Sequence, residues 1–181
     1  MNQIILGGGC FWCLEASFQP LKGIQRVTSG YAGGTKATAT YKQVCSGNSG
    51  HTEVVLIAYD SEEISLETIL EVFWQIHDPT TLNRQGNDKG PQYRSVIYYA
   101  DEKEKGIIQQ SIEESAKPLW GDGIVTAVEP VVPFYPAEIE HNDYYRRIGD
   151  RNPYCTWVVR PKVDKVREKF GHLLDSGQSF A

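Results

Sequence analysis

Two cysteines, Cys10 and Cys13, stand directly after Gly7-Gly8-Gly9 near the start of the 181-residue chain. Gln3 to Leu6 reads as a short buried strand, and Phe11, Leu14 and Phe18 then recur at helical spacing until Pro20 closes the segment. Cys10 is therefore expected at or beside a helix N-terminus, where unpaired N–H groups and the positive end of the helix dipole favour an anion. A thiol with a reference pKa of about 8.5 becomes a better nucleophile where its thiolate is favoured. The glycines are expected to let the backbone approach whatever the thiolate attacks. Phe11 and Trp12 put apolar surface beside the sulfur, suited to a small apolar group on a substrate. The plain alternative is an inert cysteine buried among core aromatics. The strand–glycine–helix context favours the reactive reading.

The remaining cysteines, Cys45 and Cys155, make four in all, too few and too scattered for a disulfide-framed secreted scaffold. A Cys-x-x-Cys pair in a reducing compartment reads as redox, catalytic or metal-binding. A zinc module of Cys10, Cys13, Cys45 and His51 lacks a second ligand pair at short spacing. A general thiol–disulfide oxidoreductase would not call for bulky Phe11-Trp12 between its cysteines. Gly7-Gly8-Gly9 matches no phosphate-binding glycine pattern. No metal or organic cofactor is implied.

The elements that must hold these residues can be read along the chain. Ile24 to Tyr31 and Thr52 to Tyr59 read as strands around a polar loop from Gly33 to Gly50. Leu66, Ile69, Leu70, Phe73 and Trp74 mark an amphipathic helix. Asp78 to Gln92 is a second long loop, Tyr93 to Ala100 a strand, and Asp101 with Glu104 a helix start. Gly123 to Val132 is a strand candidate, Ala137 to Ile148 a polar helix candidate, and Pro161 opens a final helix. The mixture predicts an α+β fold, helices packed on a mixed sheet, in one domain spanning residues 1–181. Loops beyond roughly 12–15 residues in a compact domain are usually functional or disordered, and both of these, at about that length or more, are read as site-forming. The net charge of −5 without a basic run argues against nucleic acid. With no membrane-length apolar stretch and no signal-peptide pattern, a soluble cytoplasmic protein is expected. Met1 is the only methionine, which fits work around oxidants.

Gly9-Cys10-Phe11-Trp12 resembles the signature of the A-type peptide methionine sulfoxide reductases. Ordered segments elsewhere resemble the same family: Gly30-Tyr31-Ala32-Gly33-Gly34, Tyr41 to Gly47, Gly50-His51-Thr52-Glu53-Val54 and Gln85 to Ser95. Fainter likeness continues through Pro133 to Glu138, His141 and Asn152-Pro153-Tyr154-Cys155. The resemblance implies an α/β plait (ferredoxin-like) and reduction of methionine (S)-sulfoxide, in proteins or free, by a monomer recycled by thioredoxin or a similar dithiol. It implies Cys10 as nucleophile, Phe11 and Trp12 as the methyl pocket, and Glu53 as general acid. Tyr41 and Tyr93 would then donate hydrogen bonds to the sulfoxide oxygen, and Asp88 would orient the substrate backbone or bound water. His51 and His141 are read as structural, as is Cys45.

The chain departs from the common family pattern in having no cysteine after Cys155, where the sequence reads as a helix in place of a Gly-rich, cysteine-bearing tail. The cysteine that resolves oxidised Cys10 is then Cys13 or Cys155. Proximity on one helix favours Cys13, whereas Cys155 sits in a segment that resembles the family's first resolving position.

Overall fold

The computed structural model of the chain describes residues 1–177. The strands are β1 (Asn2–Gly7), β2 (Ile24–Ala32), β3 (Thr52–Tyr59), β4 (Arg84–Gln85), β5 (Asp88–Lys89), β6 (Val96–Tyr99), β7 (Ala127–Pro130) and β8 (Phe134–Pro136). The α-helices are α1 (Phe11–Phe18), α2 (Tyr41–Cys45), α3 (Leu66–Ile76), α4 (Glu102–Ser111), α5 (Lys117–Trp120), α6 (Tyr144–Ile148) and α7 (Arg160–Lys169). Six strands form one mixed sheet in the order β7-β6-β1-β3-β2-β8, antiparallel throughout except for β6 with β7. The expected α+β architecture of helices packed on a mixed sheet is the one observed.

β3 lies near the centre of the sheet and is apolar on both faces, as its run of β-branched residues requires. Its pairing with β2 sets Glu53 opposite Tyr31, and its pairing with β1 sets Val55 opposite Leu6. These registers bring the start of β3 to the end of β1, where the chain turns into α1. Gly7 is needed at that junction because a Cβ there would lie 2.9 Å from both Thr52 Cγ2 and Val96 Cγ1. Gly9 has φ +93°, a left-handed conformation that glycine adopts without strain. The Gly7–Gly9 run thus makes room for protein side chains, including His77 under Gly8 and Gln85 under Gly9, where the sequence suggested room for substrate.

α1 is short but almost wholly enclosed, with Phe11 and residues 13–18 buried and Trp12 partly exposed. It packs against β2, β3, α3, α6 and α7. α3 begins at Ser65, whose hydroxyl accepts the Thr68 N–H, and α4 begins at Asp101, which accepts the Glu104 N–H at 2.8 Å. Pro161 lies in the first turn of α7 as expected.

Three segments differ from the sequence reading. The loop between β2 and β3 contains α2, started by the Thr40 hydroxyl. The loop after α3 contains the β4–β5 hairpin. The helix expected over Ala137 to Ile148 is instead a 3₁₀ turn at Ile139–His141 and the short α6, separated by Asp143 in a left-handed conformation at φ +56°. No helix among the described residues is long and apolar enough to cross a membrane.

Candidate active site

Cys10 precedes the first residue of α1 in an extended conformation, with its side chain 7 % exposed. The fold seats it against Glu53 through the next residue: the Phe11 N–H donates to Glu53 Oε1 at 3.2 Å. Glu53 is 1 % exposed, and burial in this strand lifts its carboxyl to about 8 despite that hydrogen bond. A carboxyl that keeps its proton at neutral pH, a residue away from a thiol, is an acid in reach of whatever the thiol attacks.

Three phenols lie within electrostatic reach of the carboxyl. Burial, reinforced by neighbouring charges that include Glu53, keeps Tyr31, Tyr41 and Tyr93 protonated far above their ordinary range, so each is a donor. Tyr31 is occupied, donating to Glu138 Oε1 at 2.9 Å, and Glu138 also accepts the Tyr41 N–H at 2.9 Å. That carboxylate fixes the start of α2 and with it the Tyr41 ring, which stacks on Phe11 at 6.4 Å and on Trp12 at 6.5 Å between centroids.

Phe11 is fully buried behind the nucleophile, against Tyr31 and His141. Trp12 lies nearly parallel to Tyr144, 3.9 Å between centroids and 4° between planes, and its indole N–H donates to His141 Nδ1 at 3.2 Å. Tyr154 meets Trp12 edge-on at 5.8 Å and donates to Asp88 Oδ2 at 2.6 Å. The structure therefore brings together Cys10, Phe11, Trp12, Tyr41, Glu53 and Tyr93, with Asp88 tied to the same aromatic wall.

The thiol pair corrects one expectation. Burial, a hydrogen bond with Cys13 and the nearby Glu53 push the Cys10 thiol up, outweighing the backbone hydrogen bond at Trp12. The same thiol–thiol hydrogen bond draws Cys13 down to about 7. These shifts favour Cys13 over Cys10 as the thiolate of the pair, whereas the helix start alone favoured a Cys10 thiolate. Cys155 is fully buried on the turn before α7, and burial and the Cys13 charge raise its thiol.

The histidines are structural in their contacts. His51 accepts the Gly34 N–H at Nδ1 and reaches Thr35 O from Nε2, which staples the β2–β3 loop and leaves no ring nitrogen free for a metal. His77, held neutral by burial with its pKa near 3, bridges Phe73 O and Ser95 Oγ beneath Gly8. Among the described residues, the cluster with ligand atoms close together is Glu138, Glu140 and His141, whose inner members already serve Tyr31, Tyr41 and Trp12.

Sequence reasoning missed Glu15, Tyr31, Glu138, Tyr144 and Tyr154. Glu15 is 2 % exposed on α1, raised by burial to about 7, and accepts from Ser29 Oγ and from the Tyr144 N–H at 3.2 Å. Asn152 holds the other end of Tyr144 by donating to its hydroxyl at 2.9 Å. The five-residue spacing from Cys10, a buried carboxyl on an apolar helix, was the available signal. Glu15→Leu is expected to loosen Tyr144 from Trp12, lowering kcat/KM roughly tenfold with a changed tryptophan emission spectrum. Glu15→Gln keeps an acceptor for the Tyr144 N–H and should recover both; equal activity in all three proteins would remove Glu15 from the pocket's support.

A buried thiol beside a protonated carboxyl and phenol donors defines a site for thiol attack on a substrate whose oxygen must be protonated to leave. Comparisons with known proteins narrow the class. The family model for peptide methionine sulfoxide reductase matches residues 2–174, so the chain belongs to that family. Peptide methionine sulfoxide reductase MsrA of Chromobacterium violaceum is 50% identical, covering 97% of this chain and 100% of that protein. Reduced Mxr1 of Saccharomyces cerevisiae has a TM-score of 0.76 and 36% identity, covering 84% of this chain and 86% of Mxr1. Mxr1 in complex with Trx2 has a TM-score of 0.56 and 26% identity, covering 79% and 84%.

Proposed function

We propose that the protein reduces the S epimer of methionine sulfoxide, in proteins and as the free amino acid, and so repairs oxidised proteins. The observation that carries this is the Glu53 carboxyl, protonated at neutral pH and hydrogen-bonded to the residue after Cys10. Glu53 gives its proton to the sulfoxide oxygen while the Cys10 sulfur, its own proton passing to a neighbouring base, forms the new bond to the sulfoxide sulfur. Tyr41 and Tyr93 stabilise the charge that gathers on oxygen as the S–O bond breaks. The hydroxyl so formed passes to the Cys10 sulfur as the new sulfur–sulfur bond breaks, so methionine departs as the thioether and Cys10 is left as a sulfenic acid, the first reversible rung of cysteine oxidation. Phe11 and Trp12 enclose the methyl group, and Asp88 orients the substrate from the Tyr154 side.

Cys13, already hydrogen-bonded to Cys10, then attacks the sulfenic sulfur, and water leaves as the disulfide forms. A dithiol such as thioredoxin reopens it, in keeping with the Mxr1–Trx2 complex. No metal or organic cofactor enters the cycle. The 1–181 chain is read as one reductase domain whose core is an α/β plait, a reading supported by the β6-β1-β3-β2 strand order with α1 and α3 as its crossovers. An assay with each sulfoxide epimer and dithiothreitol should show turnover of the S epimer alone. Equal turnover of both epimers, or of neither by folded protein, would contradict the proposal.

A further inference from the structure

A sulfoxide sulfur attacked by Cys10 carries three groups. In the site above, the oxygen faces Glu53 and the tyrosines, and the methyl faces the aromatic pocket. The side chain leading to the α-carbon must leave by the remaining opening. Cys10 lines a groove of about 470 Å³, whose further walls include Asp88, Tyr154, Trp157 and Lys162. Two of its lining residues are charged, Asp88 and Lys162. Asp88 accepts the Tyr154 hydroxyl, whereas half-buried Lys162 has no carboxylate within 4 Å among the described residues. An ammonium group without an ion partner, set in the wall of a groove beside a reactive thiol, is placed to meet a charge that a ligand brings. Its field is felt at the reaction centre, since it helps draw Cys13 down. Trp157, 78 % exposed, leaves the groove open to a substrate entering from solvent.

We infer that this groove is a subsite for the α-carboxylate of the reacting methionine sulfoxide residue, with the Lys162 ammonium as its counter-charge. The ligand is a free amino acid or a residue at the C-terminus of a peptide. In the free amino acid the Asp88 carboxylate faces the α-ammonium group, so the two wall charges match the zwitterion. The inference rests on the reductase reading and adds to it a preference for where in a chain the oxidised residue stands.

The test is a ratio of kcat/KM values with dithiothreitol as reductant, which cancels any effect of a variant on thiol reactivity or active fraction. N-acetylmethionine (S)-sulfoxide is compared with its carboxamide for the chain-terminal source, and free methionine (S)-sulfoxide with its carboxamide for the free amino acid. The carboxylate-to-amide ratio should fall several-fold from wild type to Lys162→Met in at least one pair, stay near wild type in Lys162→Arg, and shrink with added salt. The pair that responds identifies the source. Ratios unchanged across the three proteins in both pairs would overturn the subsite while leaving the reductase reading in place. Absence of turnover with all four substrates in wild type would overturn both.

Discussion

Glu53→Gln is expected to lose about a thousandfold in kcat while substrate binding stays close to wild type, the scale of loss typical of a missing general acid. Glutamine keeps an oxygen for the Phe11 N–H, so the geometry around Cys10 survives while the proton does not. The same substitution should make the protein more stable at alkaline pH. The Glu53 carboxyl titrates near 4.5 when unfolded and near 8 in the fold, so between those values the native state holds a proton that the unfolded state has released. Stability contributed by the protonated form is full below about 4.5 and is lost as pH rises toward 8, a difference of a few kcal/mol at about 1.4 kcal/mol per pH unit. Denaturant melts at pH 6 and pH 9 should show the variant gaining on wild type at the higher pH. Wild-type kcat/KM should fall as pH passes about 8 and Glu53 gives up its proton. Unchanged turnover at neutral pH in Glu53→Gln would remove Glu53 from the acid role.

Cys13→Ser separates chemistry from recycling. Formation of the first equivalent of methionine should proceed, because Cys13 acts after the S–O bond has broken. Dithiothreitol should still support turnover by reducing the sulfenic acid directly. Turnover with thioredoxin should fall by more than about tenfold, as the disulfide it attacks no longer forms. Cys155→Ser should leave thioredoxin turnover near wild type, since Cys155 is fully buried and its charge neighbours are Cys13 and Asp150. Peptide mapping after one turnover reads the outcome. A Cys10–Cys155 disulfide formed at full rate in Cys13→Ser would transfer the resolving role to Cys155.

What the sequence disclosed follows from the distance over which each cause acts. β3 and α3 were legible because a run of β-branched residues and an i, i+3, i+4 apolar pattern are local signals. The start of α4 was legible because the Asp101 carboxylate accepts the Glu104 N–H and the Glu104 carboxylate accepts the Ala100 N–H, both within one turn. Cys10 at a helix start could be read from the glycines before it. The state of its thiol could not, because burial, Cys13 and Glu53 together decide it. α2 has no apolar stripe; Glu138 caps Tyr41 across 97 residues, and no local pattern encodes that contact. The polar helix expected over Ala137 to Ile148 failed for the same reason, because Glu138 and Tyr144 are committed to Tyr41 and Glu15. Resemblance of ordered motifs brought Glu53, Tyr41, Tyr93 and Asp88 into view, but the residues that hold them emerge only from the packed structure.

The central claim is that Cys10 takes the oxygen from the substrate. It is tested most directly without reductant, in a Cys13→Ser/Cys155→Ser protein given one equivalent of a methionine (S)-sulfoxide peptide and a sulfenic-acid trap such as dimedone. Methionine peptide should appear one for one with enzyme, and the trap should map to Cys10 by mass spectrometry. The corresponding Cys10→Ser protein should yield neither. Methionine formed with Cys10 unlabelled, or formed by the Cys10→Ser protein, would contradict the account.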